Sequence, residues 1–320
     1  MMDMRWLFAL LLLVAPTARA QEAAAPAQPQ VQPQPQLQPQ PQPSPEPTPD
    51  EVLAIGRDAP GRMTVPVKIG AQGPWPFTID TGAERTVISR ELASLLALPP
   101  GPRVRLTAMA GTSEVDTVRI PEITMSSVSG TRIEAPALEG RHLGAPGLLG
   151  LDTLKGHAVS IDFERGEMSV RRARKNWRSF AREPGEVVVS AKSLLGQLIV
   201  TDASYRGQRV RVVIDTGSAL SMGNSALRAR ALKGRERLNP VTVTAVTGAT
   251  LIADYTQIGE VRFGSLTFQN LPVAFADAAP FKRLGLEDKP ALLLGMDALK
   301  LFRRVDIDFP NREVRLLLPR

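Results

Sequence analysis

From residue 51 onward the chain is written in short runs of Val, Ile, Leu and Thr that alternate with polar positions and stop at Gly or Pro. RMTVPVKI (62–69), VRLTAMA (104–110), TRIEAPAL (131–138) and AVSIDF (158–163) have the length and β-branched content of strands, and the intervening Gly and Pro mark turns. Helical spacing is rare. SRELASLLAL (89–98) predicts one short helix, with Ser89 as its cap and Leu92, Leu95 and Leu96 on one face, and NSALRARAL (224–232) predicts another. The pattern therefore predicts a mostly β fold with a few short helices.

Two segments fall outside this pattern. Residues 1–20 place Arg5 before an apolar run, Trp6 to Val14, and end in Ala18-Arg19-Ala20. That order is a secretory signal, with cleavage expected before Gln21, and the apolar run is too short for an ordinary membrane span. Export to a periplasm or the medium is the expectation, with no membrane span after cleavage and an uncut N-terminal anchor as its rival. Residues 21–50 alternate Pro with Gln and offer almost nothing to bury. They read as an extended tether or a removable pro-segment, with a reach on the order of 90 Å.

The strand-like part is written twice. FTIDTGAERTVIS (77–89) is matched by RVVIDTGSALSM (211–222), which sets Asp80 and Asp215 135 positions apart. TAMAGTSEV (107–115) matches TAVTGATLI (244–252), each predicted to be a hairpin with Gly111 or Gly248 at its tip. GLLGLDTL (147–154) matches LLLGMDAL (292–299), and SIDFERGEMSV (160–170) matches DIDFPNREVRL (306–316). Four landmarks in one order at a nearly constant offset are an internal duplication. It predicts one lobe over 51–170, a basic linker over 171–185 and a second lobe over 186–320.

A duplicated Asp-Thr-Gly suggests a chemistry that uses two carboxyls. A hydrophobic strand ends at each Asp and fixes its direction, Gly82 and Gly217 permit a sharp turn, and the Thr81 and Thr216 hydroxyls can bond inward or across to the other copy. If the halves pack about a pseudo-twofold axis, Asp80 and Asp215 face each other and share one proton, because two touching carboxyls cannot both ionise cheaply. The ionised member can activate water while the protonated one polarises a carbonyl. Ser218 follows the second motif where Ala83 follows the first. A Ser218 hydroxyl bonded to Asp215 would make Asp215 the more readily ionised member.

Other chemistries fit less well. His142 and His157 are the only histidines and lack metal-ligand spacing, so no metal and no cofactor are expected. Cysteine is absent, which removes thiol catalysis and disulfides. Asp152 and Asp297 recur after the Gly signals and read as caps of short helices, Asp162 and Asp308 as turn residues, and Glu84 as an exposed rim charge. The net charge of +7 is scattered and only 5% of residues are aromatic, so no nucleic-acid partner is expected.

The sequence resembles the retropepsin-like aspartic peptidases with two fused lobes, in Asp80-Thr81-Gly82-Ala83, Asp215-Thr216-Gly217-Ser218 and the two following Leu-Leu-Gly signals at Gly150 and Gly295. The resemblance spans roughly residues 60–318. It implies a two-lobed acid-protease β-barrel fold, Asp80 and Asp215 as the catalytic pair, and Gly150 and Gly295 packed behind the two active-site turns. It also implies hairpin flaps, a peptide or protein substrate and a monomer, since both motifs lie in one chain. The first hairpin lacks the tyrosine of pepsin-like flaps, and Ala83 follows the first motif as in viral retropepsins, which points away from pepsin-like specificity and a strongly acid optimum. A peptide-binding envelope protein without turnover is the alternative.

Overall fold

In each half, three strands cross around the Asp-Thr-Gly turn. Gln72–Ile79 leads into Asp80 and Val87–Ser89 leads away from it, and Gly147–Leu149 lies between them, parallel to the first and antiparallel to the second. Arg211–Ile214, Met222–Gly223 and Ala291–Leu294 repeat this arrangement around Asp215. Each inserted strand is apolar on both faces because it is covered on both: Leu148, Leu149, Leu293 and Leu294 are all buried. Val128–Leu138 and Leu271–Phe275 then pair in parallel with the outgoing strands.

These observations come from a computed structural model that describes residues 51–54, 56–57, 62–125, 128–173, 183–232 and 238–320. The signal, the Pro/Gln segment and most of the basic linker lie outside the described residues. The described part is mostly β, with six short helices, and has the two-lobed acid-protease fold. None of the described helices is long and apolar enough to cross a membrane. The segment read as a linker from 171 begins inside a strand, since Glu167–Arg172 includes Arg171 and Arg172.

The halves are joined by a sheet. Its order is Glu51–Ala54, Glu167–Arg172, His157–Asp162, Arg304–Asp308, Glu313–Leu317, Glu186–Leu194. At its centre His157–Asp162 runs antiparallel to Arg304–Asp308, with Ser160 opposite Asp306. These two residues hold the same place in the duplicated sequence, so the pseudo-twofold axis passes between them. Asp162 and Asp308 end their strands and accept the N–H of Arg165 and Asn311, at 2.9 and 3.0 Å, as turn residues do. One apolar core runs through both lobes, from Ile79 and Leu149 to Ile214 and Leu294. Replacing any of these by Ala would cost about 2–5 kcal/mol.

The two predicted helices form, as Arg90–Leu95 and Ser225–Ala231. Ser89 caps the first as the pattern predicts, its Oγ accepting the Leu92 N–H at 3.0 Å, and Asn224 caps the second, its Oδ1 accepting that of Leu227 at 2.9 Å. One detail differs. Leu92 is buried, but Leu95 is 68% exposed, because the helix stops after six residues and never completes the second turn of its apolar face.

Candidate active site

Asp80 and Asp215 are each held at the end of a strand by a backbone bond to the inserted strand: Asp80 N–H to Leu149 O and Asp215 N–H to Leu294 O, both 3.0 Å. Each carboxylate then folds back over its own turn. Asp80 Oδ1 accepts the Gly82 N–H at 2.9 Å, and Asp215 Oδ1 accepts those of Gly217 and Ser218 at 3.1 and 3.2 Å.

The Thr residues lock the lobes together. The Thr81 N–H donates to Thr216 Oγ1 and the Thr216 N–H to Thr81 Oγ1, each at 3.1 Å, while the two hydroxyls donate to Ile214 O and Ile79 O at 2.8 Å. Both hydroxyls thus act across the axis. This reciprocal exchange draws the turns so close that each carboxyl lies on the other lobe's glycine. A Cβ on Gly82 would sit 2.7 Å from Asp215 Oδ1, and one on Gly217 would overlap the Asp80 carboxyl. Glycine is required at both positions by close approach.

A second layer supports the turns. Gly150 and Gly295 pack directly behind them, where a Cβ would overlap the backbone of Arg85 or approach that of Leu220 at 2.6 Å. Their N–H groups donate to Thr86 Oγ1 and Ser221 Oγ at 3.2 and 3.0 Å. Asp152 corrects the expectation of a helix cap, and Asp297 meets it only in part, since its Oδ1 accepts the first-turn N–H of Ala298 at 2.8 Å. At their cap positions Leu151–Leu154 and Met296–Leu299 have no side-chain bond. Asp152 instead accepts the N–H and hydroxyl of Thr86, at 2.9 and 2.7 Å, and Asp297 those of Ser221, at 2.9 and 2.6 Å. Both tie the helix to the segment that leaves the Asp turn.

Two side chains that the motif did not reveal complete the arrangement. Arg62 donates to Gly217 O at 3.2 Å and also to Leu143 O, and Gln197 donates to Gly82 O. They lie 135 positions apart, so they are partners under the duplication. Each reaches across to hold the carbonyl of the opposite lobe's glycine, but only Arg62 carries charge.

That charge opposes the effect of burial on both carboxyls and ranks higher among the influences on Asp80 than on Asp215. Burial raises the affinity of both carboxyls for a proton. Asp215, 4% exposed, is pushed up to about 7 by burial and then by the negative charge of Asp80. Burial also raises Asp80, with Arg62 as the strongest opposing influence. The charge of Asp80 raises Asp215 while Arg62 ranks next after burial at Asp80, which favours Asp80 as the ionised member of a pair that titrates as a unit. This reverses the order expected from Ser218. The Ser218 hydroxyl donates to Leu220 O at 2.7 Å, a nearer carbonyl on its own turn, and only its backbone N–H reaches Asp215.

Above the pair lies a cleft of about 460 Å³ lined by both hairpins. The first, Val104–Ala108 with Gly111–Val115, turns at Met109-Ala110, just before the glycine expected at its tip. The second, Asn239–Thr244 with Thr250–Ile258, turns at Val246 to Gly248. Each tip contacts the opposite lobe. Met109 O accepts the Ala279 N–H at 3.1 Å, and Gly248, at φ +85°, lies against the His142 ring. Glu84 is an inter-lobe contact as well as a rim charge, because Arg283 binds it at 2.6 and 2.8 Å. Among the described residues no group of His, Asp and Glu is placed to hold a metal ion.

Family models match each half. Residues 65–156 match a "gag-polyprotein putative aspartyl protease" and residues 201–298 an "Aspartyl protease". No curated protein matches the chain. Each matched span carries one Asp-Thr-Gly and its Gly signal, and together the two cover more than half of the sequence, so the chain belongs to the aspartic proteases, as two retropepsin-like lobes fused in tandem.

Proposed function

We infer that the protein is an exported aspartic endopeptidase, active as a single chain, that hydrolyses peptide bonds with water activated between Asp80 and Asp215. One observation carries this reading: each carboxyl is seated on the other lobe's glycine, so that the charge of Asp80 acts on Asp215, beneath a cleft of about 460 Å³. Export rests on the charged, apolar, small-residue order of residues 1–20.

The steps follow from the site. Asp80, ionised, takes a proton from the water held between the carboxyls. Asp215, protonated, donates a hydrogen bond to the scissile carbonyl and stabilises the negative charge that develops on its oxygen as water adds. The proton gained by Asp80 then passes to the departing amine. Hairpin tips latched on the opposite lobes exclude bulk water during these steps. Catalysis needs one proton on the pair. Above about pH 7 the acid is lost, and at low pH the base is lost, so the rate profile is a bell with its alkaline limb near pH 7.

The test is cleavage of a mixed peptide library by the full chain, followed over protein dilution. Asp80→Asn and Asp215→Asn should each lower kcat by several orders of magnitude while circular dichroism stays unchanged. Specific activity should hold constant on dilution. Cleavage near the parent rate in either variant would overturn the mechanism, and a steep fall on dilution would place the site between chains.

A further inference from the structure

The duplication provides an internal control for the cleft, because each position of one lobe has a partner in the other. Three partner pairs that line the cleft differ in the same sense. Arg62 faces the role of Gln197, Arg85 that of Leu220, and Arg105 that of Thr242. In each of these pairs the arginine is on the first-lobe side and its partner is uncharged. The pairing holds in space as well as in sequence: Gly150 packs on the backbone of Arg85 as Gly295 packs on that of Leu220, and Arg105 and Thr242 both lie on the first arm of their hairpins.

The charges of the cleft cancel in groups until two remain. Arg283 is neutralised by Glu84 in a two-pronged ion pair. Arg62 is committed to carbonyl oxygens and faces the single negative charge of the dyad. Arg85 and Arg105 are left. Both are exposed, both line the cleft, and neither has a hydrogen-bond or ion-pair partner among the described residues. Glu114 stands across the hairpin from Arg105 without bonding it and does not line the cleft. The position of Arg85 is also rigid: its carbonyl is packed under Gly150, and the next residue, Thr86, is fixed by Asp152. A guanidinium on a fixed backbone loses little freedom when it binds a carboxylate. The second lobe presents Leu220, Met222 and Val243 to the same cleft.

We propose that this cleft selects peptides with a carboxylate side chain on one side of the scissile bond, bound by Arg85 and Arg105, and with apolar side chains on the other, bound against Leu220 and its neighbours. The selection rests on the endopeptidase reading for its rate consequence, but not for its binding consequence, and this separates the two in a test.

The probe is a set of octapeptides with a central Phe-Leu in which Glu, Gln or Lys is placed in turn at each flanking position. For the full chain, kcat/KM for Glu over Gln should rise about threefold to tenfold at one or two positions on one side of the cleaved bond only. That range lies between an exposed ion pair and a charge-assisted hydrogen bond. The preference should shrink as salt is added. The Arg85→Leu, Arg105→Thr variant installs the second lobe's own residues and should erase it, and Arg85→Glu with Arg105→Glu should transfer it to Lys. The same fluorescein-labelled peptides are measured for binding to Asp80→Asn by anisotropy. If no peptide is cleaved but the Glu preference appears in binding, the endopeptidase reading fails and the charge selection stands. A Glu to Gln ratio near one at every position, in rate and in binding, overturns the selection. So does a ratio that survives the Arg85→Leu, Arg105→Thr change.

Discussion

Replacing Asp215 by Asn should make the protein more stable near neutral pH, and by an amount that grows with pH. In the unfolded chain Asp215 gives up its proton near the ordinary aspartate value of 3.8, whereas in the folded pair it holds it up to about 7. A raised folded value means that the proton stabilises the native state: the contribution is complete below 3.8 and is lost as pH rises through 7. Between those limits stability falls by up to about 1.4 kcal/mol per pH unit, which sums to about 4 kcal/mol. The asparagine amide has no proton to lose and brings no charge to the pair as pH rises. The stability of Asp215→Asn relative to the parent should therefore rise by about 4 kcal/mol between roughly pH 3.5 and pH 8. Urea unfolding followed by tryptophan fluorescence at several pH values measures this, provided that the m-values agree. A difference that stays flat with pH would mean that Asp215 ionises in the fold as it does in water, and the account of a shared, buried proton would fail.

Thr81→Val should destabilise the fold by about 2–4 kcal/mol, because it leaves the Thr216 N–H and Ile214 O buried and unpartnered, while Thr81→Ser should cost little; thermal unfolding of the pair decides. Arg62→Leu removes the cation that favours the ionised form, so both limbs of the kcat/KM profile should move to higher pH, on the order of one unit, with Arg62→Lys restoring most of the parent profile. Ser218→Ala should leave both limbs in place, because the hydroxyl is bonded to Leu220 O, and a shifted acid limb would show that it serves the carboxylate after all.

What the sequence made legible was whatever the duplication wrote twice in recognisable letters. Asp80, Asp215, both Thr residues and the four glycines stand out because the same local geometry demands the same residue in each lobe. Arg62 and Gln197 do the same work as each other with different chemistry, so nothing in either local pattern marks them. Only counting 135 positions from Arg62 would have led to Gln197. Asp152 and Asp297 were visible as a repeat, but their role was not: a carboxylate at the start of a short helix reads as its cap until the fold brings Thr86 and Ser221 within reach. The Ser218 hydroxyl went astray for a similar reason, since a choice between two nearby acceptors is settled by tenths of an ångström. Leu95 shows the limit of periodicity in a helix of six residues.

The joining sheet also fixes when the pair of carboxyls can assemble. Asp215 is not held until Ala291–Leu294 has paired beside Arg211–Ile214, and the lobes are not joined until Arg304–Asp308 has found His157–Asp162, a partner made nearly 150 residues earlier. Contacts so distant along the chain form late. A chain that has completed only its first lobe still possesses half a dyad. The strands of the second half are thus a clock for the pair: Asp80 stays without its counterpart until Ala291–Leu294 and Arg304–Asp308 have found their places.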